Sequence, residues 1–376
     1  MIQAATIRTK IPLTKKCCYF NTGGIAPGLD VVTDCFNEEF SNTASRGPQL
    51  IMDHKTHHER LQDARERLAA FCGVGSEDLC LTHGVADGVT TVFNGFDWDA
   101  GDEVILTDEE HPACTIPAGR LCDTHGVELK FLKIAGSDEE VLQELDQLIS
   151  PRTRLLALSH VTTDTGTKLP AKAIVDLAHE HKLPVLYDGA QSLGQFPVNV
   201  TDIGADFYSL LTYKWMFGPY TAGALYIEPS WQERLRVVPS SANYFGDKGV
   251  RRFEFITVPP PYYYASASAT DYLLELGLGN IDSYCTKLAI RMREQLQALP
   301  GLIIENPAEA ERCTGIVAFR VDGVDGAHIS EELRKRGIIS RPTGLKFSGV
   351  RASVSFFTDE NDVNAFVGAV AEIISH

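Results

Sequence analysis

Between about residues 60 and 230 the sequence alternates helix-like and strand-like segments, and that rhythm restricts the chain to few folds. Leu61, Ala64, Leu68 and Phe71 follow helical spacing. Ser137-Asp138-Glu139-Glu140 reads as a capping box opening a helix that carries Val141, Leu145 and Leu148. Arg154-Leu155-Leu156-Ala157-Leu158 is an apolar run suited to a buried strand. Ala171 to His181 reads as a further helix, and Leu183-Pro184-Val185-Leu186-Tyr187 as the next strand. Strands separated by helices predict an α/β fold, a mostly parallel sheet covered by helices on both faces. Ligands of such sheets bind outside the carboxyl ends of the strands.

Two segments fall at those ends. Asp188-Gly189-Ala190-Gln191 closes the strand that ends at Tyr187. Tyr213-Lys214-Trp215-Met216-Phe217-Gly218-Pro219 follows a second strand-like run, Asp206-Phe207-Tyr208-Ser209-Leu210-Leu211. Lys214 stands among apolar and aromatic residues, where a charged amine is costly unless paired or deprotonated. An acid at one strand end and such a lysine at the next suit a pyridoxal 5′-phosphate (PLP) enzyme. The amine forms a Schiff base with the cofactor, and the carboxylate keeps the pyridine nitrogen protonated, so the ring can accept electrons.

The chain's 376 residues, 44% hydrophobic and 22% charged, are enough for two domains. Pro259-Pro260-Pro261 and the run Tyr262-Tyr263-Tyr264 mark a change of texture. Beyond it we expect a long helix from about Ser266 to Leu299 and strands at Gly315 to Arg320 and Arg351 to Phe357. A helix near Ser330 to Arg336 lies between those strands, and a last helix carries Val363, Phe366, Val367, Val370 and Ile374. The expected organisation is an N-terminal arm (1–20) packing on a small domain, a large PLP-binding domain (21–259) and a smaller α+β domain (260–376).

A net charge of −16 with no long basic run argues against nucleic-acid and anionic-membrane partners. No apolar run is long enough to span a bilayer, and the first residues lack the apolar core of a signal peptide. Nine cysteines with no CxxC pair suit reduced thiols and a cytoplasmic location, and no metal site is expected.

With these segments in place, the chain resembles the class V aminotransferase family of fold-type I PLP enzymes over nearly its whole length. The group includes cysteine desulfurases, C–S lyases, isopenicillin N epimerase-like proteins and, more distantly, kynureninase. The resemblance implies a large domain with a seven-stranded type of sheet and a homodimer with active sites at its interface.

It also implies roles. Leu81-Thr82-His83-Gly84-Val85-Ala86-Asp87 is similar to the family's phosphate loop, with backbone contacts from Val85 and Ala86; the family often has Thr where Ala86 stands. Glu110-His111 resembles a motif whose histidine stacks on the cofactor ring and can shuttle protons. Ser159-His160-Val161-Thr162-Thr163 resembles a motif whose usual Asn contacts the cofactor's phenolic oxygen. Thr163 takes that place here, and Gln191 is the other candidate. Tyr213, where many members have His, could donate its hydroxyl to the phosphate. Thr257 matches a threonine that reaches the phosphate of the neighbouring subunit, with Ile256 replacing the usual Gly. Asn21 and Gly23 fall in a loop that borders the substrate. Arg351 matches the arginine that holds the substrate carboxylate in a bidentate fork, and Arg341 is a second candidate.

Several reactions share this cofactor, and Lys214, once freed from it, is the natural base. Family desulfurases take sulfur onto a cysteine in a small-domain loop before the carboxylate-binding arginine. The corresponding stretch, Ile339 to Gly349, has none. The expectation is therefore a C–S lyase acting on cysteine or an S-substituted cysteine by β-elimination. An aminotransferase or an epimerase of a small amino acid is the alternative. The Tyr213-Lys214 pair also keeps a kynureninase-like hydrolase open.

Overall fold

The computed structural model describes residues 2–48, 52–237, 249–255 and 258–375. After the short strand β1 (Cys18–Tyr19), seven strands build the central sheet. They are β2 (Leu79–Thr82), β3 (Glu103–Thr107), β4 (Glu128–Leu132), β5 (Thr153–Ser159), β6 (Val185–Asp188), β7 (Phe207–Leu211) and β8 (Gly223–Ile227). Their order is β2-β8-β7-β6-β5-β3-β4. Only β8 runs against its neighbours, β2 and β7; the other neighbouring pairs are parallel. The mostly parallel seven-stranded sheet is thus present.

The inner strands β6 and β7 are buried along their whole length, and β5 at every residue but Arg154, because both faces are covered. Alternate side chains feed two cores. Leu156, Leu158, Val185, Tyr187, Tyr208 and Leu210 point into one, and Leu155, Ala157, Leu186 and Phe207 into the other. The expected capping box at Ser137 and Glu140 is formed.

A second sheet, all antiparallel, contains β9 (Leu302–Ile304), β10 (Ile316–Val321), β12 (Arg341–Thr343) and β13 (Gly349–Ser353), in the order β12-β13-β10-β9. The short β11 (Ile338–Ile339) lies outside it and pairs in parallel with β1, and Phe20 sits in the core of this second unit. The helices Leu278–Gln297, Gly326–Lys335 and Glu360–Ile374 supply the rest of that core.

The long helix expected from Ser266 to Leu299 is instead two, Pro260–Leu276 and Leu278–Gln297, broken at Gly277, whose φ of 82° is left-handed. The first packs on the helices Asp30–Arg46 and His54–Cys72, and its Tyr263, Ala267 and Leu273 belong to the larger core. The expected boundary at residue 260 therefore falls at the start of a helix whose partners lie in the N-terminal half.

Candidate active site

The carboxyl ends of β2, β3, β5, β6 and β7 lie on one edge of the sheet, and each leads into a segment singled out above. Beneath them is a cavity of about 500 Å³ lined by Val85, Ala86, His111, Asp188, Tyr213, Lys214 and Arg341, among others.

Asp188 is the last residue of β6 and is buried. One of its carboxylate oxygens, Oδ1, accepts the Ala190 N–H at 2.8 Å. Burial raises its pKa, while the Lys214 charge and the Ala190 N–H pull it back. Lys214 is also buried, and its amine has no hydrogen bond or ion pair among the described residues. Burial lowers its pKa to about 7, against the pull of Asp188 and with help from the charges of Arg351 and Arg341. Both groups meet the conditions under which buried ionisable side chains become reactive.

The loop that carries Lys214 is held under backbone strain. Phe217 and Thr221 have φ of 57° and 61°, rare for residues with a Cβ. Phe217 is held there by full burial against Phe356, with ring centroids 4.6 Å apart, and against Phe357. Tyr213 stacks on Tyr220 at 4.6 Å.

His111 caps the helix Pro112–His125, its Nδ1 accepting the Ala113 N–H at 3.1 Å. Burial, with the nearby charges of Lys214, Arg341 and Arg351, lowers its pKa to about 4. The ring is therefore neutral at pH 7, with its proton on Nε2. Before it, Glu110 accepts bonds from the backbone N–H and hydroxyl of both Thr107 and Ser159. Burial nonetheless raises its pKa to about 7, and Asp188 adds to the rise.

Val85 and Ala86 open the helix Val85–Gly95, whose N-terminus carries no side-chain cap. Its first N–H groups have no partner within the helix and face an anion-binding position. Gly84 makes the preceding turn with φ of 154°, and β8 crowds it: a Cβ on Gly223 would lie 2.6 Å from the Gly84 Cα.

A second group adjoins the cavity. The Gln191 amide donates to the Gly23 carbonyl at 2.9 Å and to Thr163 Oγ1 at 3.4 Å, and its Oε1 accepts the Trp215 Nε1–H at 2.7 Å. Ser353 Oγ accepts the Gly23 N–H at 3.0 Å. Arg351 Nη1 donates to the Thr163 carbonyl at 2.7 Å and to its hydroxyl at 3.2 Å. The other edge of this guanidinium, Nε and Nη2, is buried without a partner, as is Asn21 Oδ1. Two free parallel donors on a buried cation are costly until an anion fills them, and a carboxylate matches their spacing. Burial and Arg341 lower the Arg351 pKa to about 9. Thr257 lies outside the described residues.

The structure thus brings Asp188, Lys214, His111, Val85, Ala86 and Tyr213 around one cavity, and joins Gly23, Thr163, Gln191 and Arg351 in one hydrogen-bonded cluster. Sequence reasoning missed the supporting groups. His160 Nδ1 bonds to the Tyr208 hydroxyl at 2.8 Å, and that hydroxyl to Ser192 Oγ at 2.6 Å, which fixes the turn after Asp188. Asp164 accepts the N–H groups of Leu345 and Lys346, tying the loop between β12 and β13 to the large sheet. The sequence showed His160 and Asp164 beside a strand end and within a stretch that resembles a family motif, but gave neither a role. These residues fit PLP: a buried acid for its pyridine nitrogen, an unpaired amine for its aldehyde and an uncapped helix terminus for its phosphate.

The cysteine desulfurase of Shigella sonnei is 29% identical over 340 residues, covering 84% of this chain and 82% of its own. A solved structure of the cystine C–S lyase C-DES with its product cysteine persulfide is 26% identical, with a TM-score of 0.89 over 96% of this chain and 99% of that one. A C-DES mutant with glycine covalently linked to the PLP cofactor is 25% identical, with a TM-score of 0.90 over 97% of this chain and 99% of that one. Residues 18–366 match the family profile described as Aminotransferase class-V. With the sheet order and the site at its carboxyl edge, that match makes this chain a member of the class V aminotransferase family, with the fold-type I architecture of PLP enzymes.

Proposed function

We propose that the chain is a PLP-dependent lyase that cleaves the C–S bond of cysteine or an S-substituted cysteine by β-elimination, releasing hydrogen sulfide or a thiol and, after one water hydrolyses the remaining enamine, pyruvate and ammonia. The observation that carries this reading is the unpaired Lys214 amine with the open Arg351 fork nearby, in a chain similar to a cysteine desulfurase and a cystine C–S lyase.

Asp188 would face the cofactor's pyridine nitrogen, His111 its ring, and Thr163 and Gln191 its phenolic oxygen. The backbone of Val85 and Ala86 and the Tyr213 hydroxyl would hold the phosphate, joined by Thr257 of a neighbouring subunit. When bound, the cofactor supplies a sink for the electron pair left on the substrate's α-carbon. Lys214 takes the α-proton, an amine near pH 7 being well matched to a base at neutrality. Arg351 grips the α-carboxylate, with Asn21 and Gly23 bordering it. No cysteine lies between Ile338 and Ser353, so the sulfur departs with the thiol and not on this loop.

The functional unit in this reading is a cytoplasmic homodimer with its sites at the interface. Ile25, Ile116 and Tyr220 are exposed beside the cavity, apolar surface that a second copy would cover, and all nine cysteines are free. Among the described residues no helix is long and apolar enough to cross a membrane.

The test is to incubate the PLP-loaded protein with cysteine, cystine and a panel of S-alkyl and S-aryl cysteines, without added keto acid. Pyruvate is expected from at least one of them and from none in Lys214→Ala. Amine transfer to an added keto acid, with no pyruvate, would make the chain an aminotransferase.

A further inference from the structure

We propose that a cleft at the amino-terminal edge of the central sheet binds a small phosphate ester, at a site separate from the Lys214 cavity and independent of the PLP reading. The cleft, of about 530 Å³, lies where β5, β6 and β7 begin, at the opposite edge from the candidate active site. Phe96, Arg154, Lys182, Asp206, Trp231 and Arg234 are among the residues that line it. The whole chain has 50 acidic residues against 34 basic ones, so its overall field repels anions. The wall of this cleft reverses that balance, with Arg154, Lys182 and Arg234 against Asp97 and Asp206.

Both acids are already matched. Asp206 Oδ2 accepts the Val185 N–H at 2.8 Å and the His179 Nε2–H at 2.9 Å, and its Oδ1 accepts the Trp231 Nε1–H at 2.8 Å. Asp97 stands in solvent and pairs with Arg236 at 3.6 Å. Of the bases, Arg154 donates Nη1–H to Asp102 at 2.8 Å. The side chains of Lys182 and Arg234 have no hydrogen bond or ion pair among the described residues. Arg234 is fixed all the same: its guanidinium lies 3.8 Å over the Trp231 ring, whose N–H Asp206 holds. A stacked guanidinium keeps its edge donors available and loses little entropy on gripping a phosphate. Lys182 joins the helix Ala171–Glu180 to β6 with φ of 61°, a strained backbone for a residue with a Cβ. Its N–H donates to the His179 carbonyl at 2.9 Å, which holds it in that turn. A phosphate ester carries about −1.5 to −2 charges at neutral pH, which two unpaired cations match. Phe96 and Trp231, with ring centroids 5.3 Å apart, give the cleft an apolar patch for the organic part of the ester.

The test is a calorimetric titration at low ionic strength, with PLP added beforehand to fill the Lys214 cavity. The ligands are ribose 5-phosphate, adenosine monophosphate and inorganic phosphate. At least one ester is expected to bind at one site per chain, more tightly than inorganic phosphate, and the tighter ester shows whether the cleft reads the base. Lys182→Met and Arg234→Met should each weaken that binding about tenfold. Both side chains are exposed, so neither change disturbs the core. Lys172→Met removes a lysine of the preceding helix that lies outside the cleft, and should leave the binding unchanged. No binding of either ester, binding no tighter than that of inorganic phosphate, or equal losses in all three variants would overturn the assignment.

Discussion

Lys214 and Glu110 respond to the same burial with opposite consequences for stability. Lys214 is held at about 7, below its usual 10.5, so without cofactor the folded chain releases this proton before the unfolded chain does. Its contribution is present above pH 10.5 and is lost as pH falls through 7. Glu110 is held at about 7, above its usual 4.5, so its contribution is present below pH 4.5 and is lost as pH rises through 7. Denaturant unfolding of the apoprotein against pH should therefore show two limbs. Glu110→Gln flattens the one between 4.5 and 7, and Lys214→Met the one between 7 and 10.5. Arg351 makes a separate claim. If its free edge grips the substrate carboxylate, Arg351→Gln costs about 1.5–3 kcal/mol in kcat/KM. PLP affinity should fall much less. The positions of Asp188 and Lys214 were legible in the sequence because each follows a strand-like run, and that of Arg351 through the family resemblance. The supporting bonds of Glu110, His160 and Trp215 were not, because their partners Ser159, Tyr208 and Gln191 are distant in sequence.

At the level of elements, the loop after β7 stores strain that packing from the C-terminal part holds in place. Phe217 could not keep φ of 57° without the rings of Phe356 and Phe357. Phe217→Ala should cost about 3–5 kcal/mol of stability from the lost burial. It should also weaken cofactor retention, since the ring's packing holds the strained turn three residues after Lys214 in place. Thermal unfolding with and without PLP separates the two effects: a purely structural role would lower both midpoints equally. The parallel strands β5, β6 and β7 were readable as buried apolar runs. The reversed direction of β8 was not, because a period-two pattern is the same read either way. The helix break at Gly277 was hidden because apolar spacing continues across it, while φ of 82° is visible only in the backbone.

Across the whole molecule, the site is shared between the two sheets, so the contacts joining them belong to its function. Lys346, on the loop between β12 and β13, reaches Asp108 at 3.1 Å and the buried Glu109 at 2.9 Å. Asp164 holds the same loop through the Leu345 and Lys346 N–H groups. Arg341 and Arg351 lie at either side of that loop and face each other across β12 and β13. Lys346→Met should therefore raise KM several-fold while leaving PLP affinity unchanged, with a stability loss of about 1 kcal/mol. A fall in PLP affinity with constant KM would contradict this coupling. The class of fold was legible at this scale from the alternating segments. The split of the expected long helix was not, because the faces of Pro260–Leu276 are specified by helices from the N-terminal half.

The most direct test of the account is the stoichiometry of products from a single turnover of the PLP-loaded protein with cystine or its preferred S-substituted cysteine. The account predicts one pyruvate and one ammonia for each C–S bond cleaved, with no keto acid required. An intact carbon–sulfur skeleton, recovered as the keto acid or the opposite enantiomer, would contradict it.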